Sequence, residues 1–314
     1  MTPAAFTGLS AFPLTPVDES SADGVDEVAY RGLVERLAAA GVDSIATLGS
    51  TGSYAYLDRR ARRRTVEMTV AGAGGTPVIA GVGATSTREA LGHAEDAQAA
   101  GADALLLAPV SYQPLTPEEV FGLFEDVDAA SSVPIIVYDN PGTTRFTFSD
   151  ELHGRIAALP RVASIKIPPV EGGAAAVSRR LTALRSHLPP DVTVGISGDA
   201  VAAEALVGGC DGWYSVLAGV LPRTCLALVA AARADRPDRA LELSRRLQPL
   251  WELFDRHGSS YRVVSALAEE LGLVRHPNLP RPVLGLDDAG RRELVDAVTR
   301  LRDDDLLGDD LARR

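Results

Sequence analysis

Three times the chain repeats one short device: an alanine-rich stretch ends at glycine, an aspartate stands two residues on, and an apolar run begins. The segments are "AAAGVDSI" at 38–45, "AQAAGADALL" at 97–106 and "ALVGGCDGWY" at 205–214. Glycine just past a helix is the common left-handed cap, because it carries no Cβ to clash. A run that is apolar at successive positions, without alternation, is a strand buried on both faces, as in a parallel sheet covered by helices. Eight runs of this kind occur, at 6–12, 42–48, 77–82, 104–108, 134–138, 162–167, 192–197 and 212–216. Helical periodicity fills most of the gaps between them. Eight βα units at this spacing predict an α/β fold, a closed (β/α)8 TIM barrel. An open doubly wound sheet would need a glycine-rich phosphate turn after its first strand, and "AFPLTPVDE" is not one.

From residue 223 onward the pattern is helical only, apart from the Pro-rich loop "VRHPNLPRPVLGL". The expected organisation is a barrel core over 1–222, a C-terminal helical extension over 223–304 and a flexible tail over 305–314. The eighth barrel helix is placed just after Leu221.

Composition narrows the function. A net charge of −11 argues against nucleic acid and against anionic membranes as partners. No run approaches the roughly 20 apolar residues of a membrane span, and the N-terminus lacks a basic, then apolar, leader. Two cysteines, Cys210 and Cys225, make no disulfide framework, so a reducing, cytoplasmic setting is expected.

Of the 31 basic residues, 30 are arginine and one is lysine, Lys166 in "RVASIKIPP". Arginine serves wherever a positive charge suffices, but it cannot become a neutral amine. A desolvated lysine can, and a neutral amine condenses with carbonyls. Working groups of such barrels collect at the C-terminal ends of the strands. Lys166 lies near the end of the sixth run, in phase with Val162 and Ser164, and Tyr138 ends the fifth, in phase with Ile136. Neighbouring strands lie about 4.8 Å apart, so the two side chains can meet. After the second run, "GSTGS" at 49–53 offers two hydroxyls and several backbone N–H groups in a flexed turn suited to a carboxylate. Each feature alone has a plainer reading: Tyr138 as a cap on the barrel core, "GSTGS" as a tight turn, and "SGDA" at 197–200 as an Asx-type helix start. Their coincidence with the sole lysine on one rim points to a site. His93, His153, His187, His257 and His276 all fall away from strand ends, so no metal site is expected there.

In order and spacing, "GSTGSYAYL", "YDNPGTT", "SIK", "SGDA" and "GGCDGWYSV" resemble the motifs of the dihydrodipicolinate synthase and N-acetylneuraminate lyase superfamily, whose members are class I aldolases and related lyases. The resemblance implies a cofactor-independent enzyme in which Lys166 forms a Schiff base with a 2-oxo acid such as pyruvate. Tyr138 relays protons, and Ser50 and Thr51 hold the carboxylate with the backbone at Gly49. It further implies substrate contacts from Asp139, Ser111, Tyr112, Thr143, Gly198 and Tyr214, and a homo-oligomer, tetramer or dimer.

Departures bear on the second substrate. Thr143 stands where the synthases carry an arginine for its carboxylate. Val110 and Ser111 replace a tyrosine pair, one member of which reaches into a neighbouring subunit, and Tyr112 lies one position on. Asp139 stands where asparagine is common, and Ser53 where glutamate is. Arg145 is a candidate substitute for the missing arginine. Two further readings follow: an aldolase or dehydratase for a 2-keto-3-deoxy sugar acid or N-acetylneuraminate-type substrate, and a non-catalytic barrel that binds 2-oxo acids for regulation.

Overall fold

Eight parallel strands close into one barrel in chain order: β1 (Gly8–Ala11), β2 (Ser44–Thr47), β3 (Val78–Gly81), β4 (Ala104–Leu107), β5 (Ile135–Tyr138), β6 (Val162–Ile167), β7 (Thr193–Ile196) and β8 (Gly212–Ser215). The computed structural model describes residues 6–21, 24–258, 260–303, 306, 307 and 310. Each strand falls inside one of the eight apolar runs.

Between the strands lie α1 (Glu27–Ala40), α2 (Arg59–Gly72), α3 (Thr87–Ala99), α4 (Pro117–Ala130), α5 (Pro141–Thr144), α6 (Asp150–Ala157), α7 (Gly173–Arg185) and α8 (Ala202–Val207). Their starts are written in the sequence. The side chains of Asp26, Asp58, Ser86, Thr116 and Ser149 each accept from a backbone N–H three residues on, satisfying a donor that the first turn leaves unpaired. Gly41, Gly101 and Gly209 adopt φ of 81°, 93° and 104°, the left-handed caps that the repeated device called for.

The aspartate of that device has a role that spacing does not reveal. Asp43, Asp103 and Asp211 each accept a hydrogen bond from the backbone N–H of the preceding strand, at Leu9, Val78 and Val194, over 2.8, 2.9 and 2.7 Å. Each also donates its own N–H to the carbonyl of that same residue. The three carboxylates therefore join neighbouring strands at the N-terminal mouth of the barrel, the face associated with stability and not with chemistry. Asp103→Ala leaves the Val78 N–H without its charged acceptor and is expected to cost about 1–3 kcal/mol, with kcat unchanged. Denaturant unfolding of the variant checks this; a loss below about 0.5 kcal/mol would contradict the role.

Strand alternation divides the core. Phe12, Ala46, Ile79, Leu106, Ile136, Tyr138 and Tyr214 fill the barrel interior, and the opposite strand faces pack with the helices in a larger outer core. Gly195 makes room for Tyr214: a Cβ there would lie 2.4 Å from its ring.

The helix after β8, α9 (Pro222–Arg233), packs between α1 and α8 and against β1, so it closes the outer ring. It begins just after Leu221, where the eighth barrel helix is expected, so the expected boundary between 222 and 223 falls one residue into it. Beyond it come α10 (Pro237–Arg246), α11 (Gln248–Arg256), α12 (Ser260–Glu270) and α13 (Asp288–Asp303). The tail expected to be flexible falls outside the described residues except at three positions, two of which are buried. Leu307 is fully enclosed, and the Asp310 carboxylate accepts from the N–H groups of Arg223 and Thr224, capping the start of α9. Among the described residues no helix is long and apolar enough to cross a membrane.

Candidate active site

Lys166 and Tyr138 are register partners across β5 and β6, near the C-terminal ends of both strands. The lysine side chain is enclosed, with 2% of its surface exposed. Its Nζ lies 3.8 Å from the ring centre of Phe12, 4.1 Å from that of Tyr138 and 5.6 Å from that of Tyr214. Burial among these rings brings the amine's pKa down to about 7, against a weaker upward pull from the Asp199 carboxylate. A substantial fraction of Lys166 is thus the neutral nucleophile at neutral pH.

Asp199 is itself buried, and its carboxylate accepts from Trp213 Nε1 at 2.9 Å and from Leu217 N at 2.8 Å. Burial pushes its pKa up, and the Leu217 and Trp213 bonds pull it down. The Asx-type helix start read from "SGDA" is therefore not its role. The side chain bridges from the end of β7 to β8 and the turn that follows, beneath the lysine's field.

The turn after β2 carries the other predicted groups. Leu48 takes a left-handed φ of 57°, unusual for a branched residue. Gly81 on the next strand allows it, since a Cβ at 81 would lie 1.9 Å from the Leu48 carbonyl oxygen. Gly49 is required on its own account: a Cβ there would come within 2.6 Å of the Phe12 ring. The internal bonds of the turn run from Gly52 N to Gly49 O and from Ser53 N to Ser50 O, and leave the N–H groups of Ser50 and Thr51 outside them. Ser50 Oγ lies 3.3 Å from Tyr138 Oη, and Thr51 is 4% exposed. Burial raises the Tyr138 pKa, while hydrogen bonds from Ser50 and Asn140 oppose the rise.

Other candidates are placed differently from expectation. Asp139, predicted to contact substrate, is turned out of the barrel: its neighbour Tyr138 faces inward, and successive strand residues point to opposite faces. Its carboxylate instead lies 3.4 Å from Nε2 of the fully buried His153 on α6. Tyr214 spends its hydroxyl on Ser164 Oγ at 2.7 Å and presents only its ring to Lys166. Ser111 Oγ donates to the Gln113 carbonyl at 2.6 Å, and Tyr112 is 91% exposed, so neither joins the lysine within one chain. Gly198 has a φ of 91°, and a Cβ on it would meet Pro169 at 2.5 Å, which makes it a packing glycine beside the site. Thr143 and Arg145 are both exposed, Arg145 in a left-handed conformation that ends α5. A separate cavity of about 740 Å³ between 16–20 and 275–287 contains none of these residues.

Three contributors were not legible beforehand. Phe12 walls the lysine, Asn140 Nδ2 donates to Tyr138 Oη at 2.8 Å, and Tyr261 of the extension lies 2.5 Å from Ser53 Oγ, tying α12 to the turn after β2. The one available signal was Asn140's place beside Tyr138 in "YDNPGTT".

The arrangement pairs a buried amine of lowered pKa with a phenol and a turn whose N–H groups at 50 and 51 lie outside its internal bonds, groups of the kind that imine formation with a 2-oxo acid requires. The dihydrodipicolinate synthetase family model matches residues 5–301. A 4-hydroxy-tetrahydrodipicolinate synthase of Halorhodospira halophila is 33% identical over 296 residues, 93% of this chain and 96% of that one. One of Nitrobacter hamburgensis is 34% identical over 247 residues, 78% of this chain and 80% of that one. The crystal structure of a dihydrodipicolinate synthase from Agrobacterium tumefaciens matches with a TM-score of 0.90 at 47% identity, covering 95% of this chain and 99% of that one. The enzyme of Acinetobacter baumannii, solved with pyruvate, matches with a TM-score of 0.83 at 27% identity, over 94% of this chain and 98% of that one.

Proposed function

The chain belongs to the dihydrodipicolinate synthetase family and is a class I, aldolase-type lyase; on that premise we propose that Lys166 condenses with pyruvate or another 2-oxo acid, without an added cofactor. The observation that carries this is the Lys166 amine, enclosed by the rings of Phe12, Tyr138 and Tyr214 and in register with Tyr138, where burial lowers its pKa.

The geometry supports the following steps. The neutral amine attacks the C2 carbonyl, and its extra proton passes through Tyr138 to the alkoxide, giving a carbinolamine. Tyr138 then protonates the departing hydroxyl, water leaves, and an iminium faces a phenolate. The phenolate takes a proton from C3, which yields the enamine nucleophile and restores the phenol. Thr51 and the free N–H groups of Ser50 and Thr51 hold the carboxylate, and Phe12 and Tyr214 keep water from the amine.

Borohydride reduction in the presence of pyruvate tests the assignment. One reduced adduct per chain is expected, mapped to Lys166, and none in Lys166→Arg. An unmodified mass with every 2-oxo acid tried would leave the chain without this chemistry and return the binding-only reading.

The second substrate is read from Thr143. An arginine there would give a carboxylate charge-assisted bonds of roughly 1.5–3 kcal/mol each, and threonine offers one neutral donor. Condensation of pyruvate with aspartate semialdehyde is therefore expected to be weakened by on the order of 10- to 100-fold, with better activity toward a polyhydroxylated or less charged partner. Thr143→Arg, an exposed change, should recover part of the loss. Steady-state kinetics with both partner types decide it: a parent efficiency of about 10⁴ M⁻¹s⁻¹ or above with aspartate semialdehyde would overturn this reading of the pocket. A sugar-derived 2-oxo acid as physiological substrate rests on the same residue. Assembly as a homotetramer or dimer in the cytoplasm is the family-based expectation, and a sedimentation measurement addresses the assembly.

A further inference from the structure

Asn140 occupies the N-cap of the short helix α5, where an asparagine side chain ordinarily turns back onto its own helix. Here it makes no cap bond. The Asn140 carbonyl accepts from the N3 donor, Thr143 N, at 3.1 Å, besides the ordinary first helix bond from Thr144 N at 3.0 Å and a bond from Thr144 Oγ1 at 2.9 Å. Its amide is thus not used on α5 and instead reaches Tyr138, where Nδ2 donates to Oη at 2.8 Å.

An amide nitrogen only donates. Tyr138 Oη is therefore the acceptor in this bond, which leaves its own proton available for Ser50 Oγ, 3.3 Å away in a contact where either hydroxyl can donate. With the Asn140 N–H on the Tyr138 oxygen, the arrangement favours one order: Asn140 N–H to Tyr138 oxygen, then Tyr138 O–H toward Ser50. Without Asn140 the phenol could turn its proton away from the substrate. Once the proton has left, Asn140 still donates to the phenolate, and Ser50 can rotate its hydroxyl to donate as well. The loop after β4 offers no alternative within the chain, because Ser111 is bonded to Gln113 and Tyr112 faces solvent.

We propose that Asn140 is a positioning residue for the lyase reaction: it fixes the direction of the Tyr138–Ser50 hydrogen-bond chain and holds the phenolate formed during imine formation. The inference rests on the Schiff-base reading of Lys166.

Two variants test it. Asn140→Asp keeps the shape and replaces the donor by an acceptor; Asn140→Leu removes polarity. Tyrosine labelled with ¹³C at Cζ gives a resonance for Tyr138, assigned by its loss in Tyr138→Phe, and its titration is followed by NMR. Both variants should raise the Tyr138 midpoint by about one pH unit or more. The rate of adduct formation with pyruvate, from timed borohydride quenches, should fall about 10- to 100-fold. Half-saturation at long incubation should move less than about threefold, since a relay changes rate and not the imine equilibrium. An unchanged midpoint, or an unchanged rate in both variants, overturns the proposal. If the parent forms no adduct at all, the Schiff-base reading fails, and with it the relay, while a raised midpoint would still establish the Asn140 donation to Tyr138.

Discussion

Lys166→Met is expected to abolish adduct formation, to lower kcat/KM by on the order of 10⁴-fold or more, and to stabilise the fold at neutral pH. Activity and stability move in opposite directions for one reason. Burial takes the amine from an ordinary pKa of 10.5 to about 7, so the folded protein holds a proton at this site less tightly than the unfolded chain does. Below about pH 7 both states carry the proton, and the folded state bears the whole cost, on the order of 5 kcal/mol. Between pH 7 and 10.5 the unfolded chain binds a proton that the folded chain lacks, so stability rises with pH. Above 10.5 both are neutral and the cost has gone. Methionine has a similar unbranched shape and no charge to desolvate. Its stabilising effect should be full at and below about pH 7 and should fade toward pH 10.5. Denaturant unfolding of parent and variant at pH 6.5, 8.5 and 10.5 measures this; a variant less stable than its parent at pH 6.5, or a pH-independent difference, would contradict the buried neutral amine.

Tyr138→Phe should lower kcat/KM by about 10²- to 10⁴-fold and leave the fold intact. The ring stays, and with it the packing around Lys166 and Phe12. Only the hydroxyl is lost, the group bonded to Asn140 and Ser50. Imine formation should still reach completion on long incubation with pyruvate, because the equilibrium depends on Lys166, but the approach should slow in step with kcat. The pH profile of the remaining rate should lose any limb that belongs to the phenol. Activity within threefold of the parent would remove Tyr138 from the relay and shift attention to a water held near Ser50. Ser50→Ala, which leaves the phenol in place, is expected to have the smaller effect of the two.

The features that were legible are those a short stretch specifies by itself. A run of buried aliphatic residues makes a strand wherever it lies, and the glycines at 41, 101 and 209 end helices because only the left-handed region continues the chain there. The side-chain period of two matched Tyr138 with Ile136 and Lys166 with Ser164, but a register shift between Ile135 and Ile136 puts Val162, also read as in phase, in the outer core. The same rule would have turned Asp139 outward, and its assignment to the substrate came from motif resemblance, which is blind to that alternation. Thr143 was recognisable as a departure because it interrupts a motif of contiguous residues.

Sequence alone, then, determined the eightfold βα order and placed its single lysine near the C-terminal end of the sixth strand, since each depends on residue type and local period. Tertiary structure decided which groups surround that amine. Phe12 reaches Lys166 across the closed barrel, and Gly81 makes space for the bent turn at Leu48. Asp43, Asp103 and Asp211 bind strands that precede them by many residues. Asn140 makes no cap bond on α5 and gives its amide to Tyr138. These contacts depend on barrel closure and on competition among hydrogen-bond partners in three dimensions. No stretch of the chain encodes either one locally.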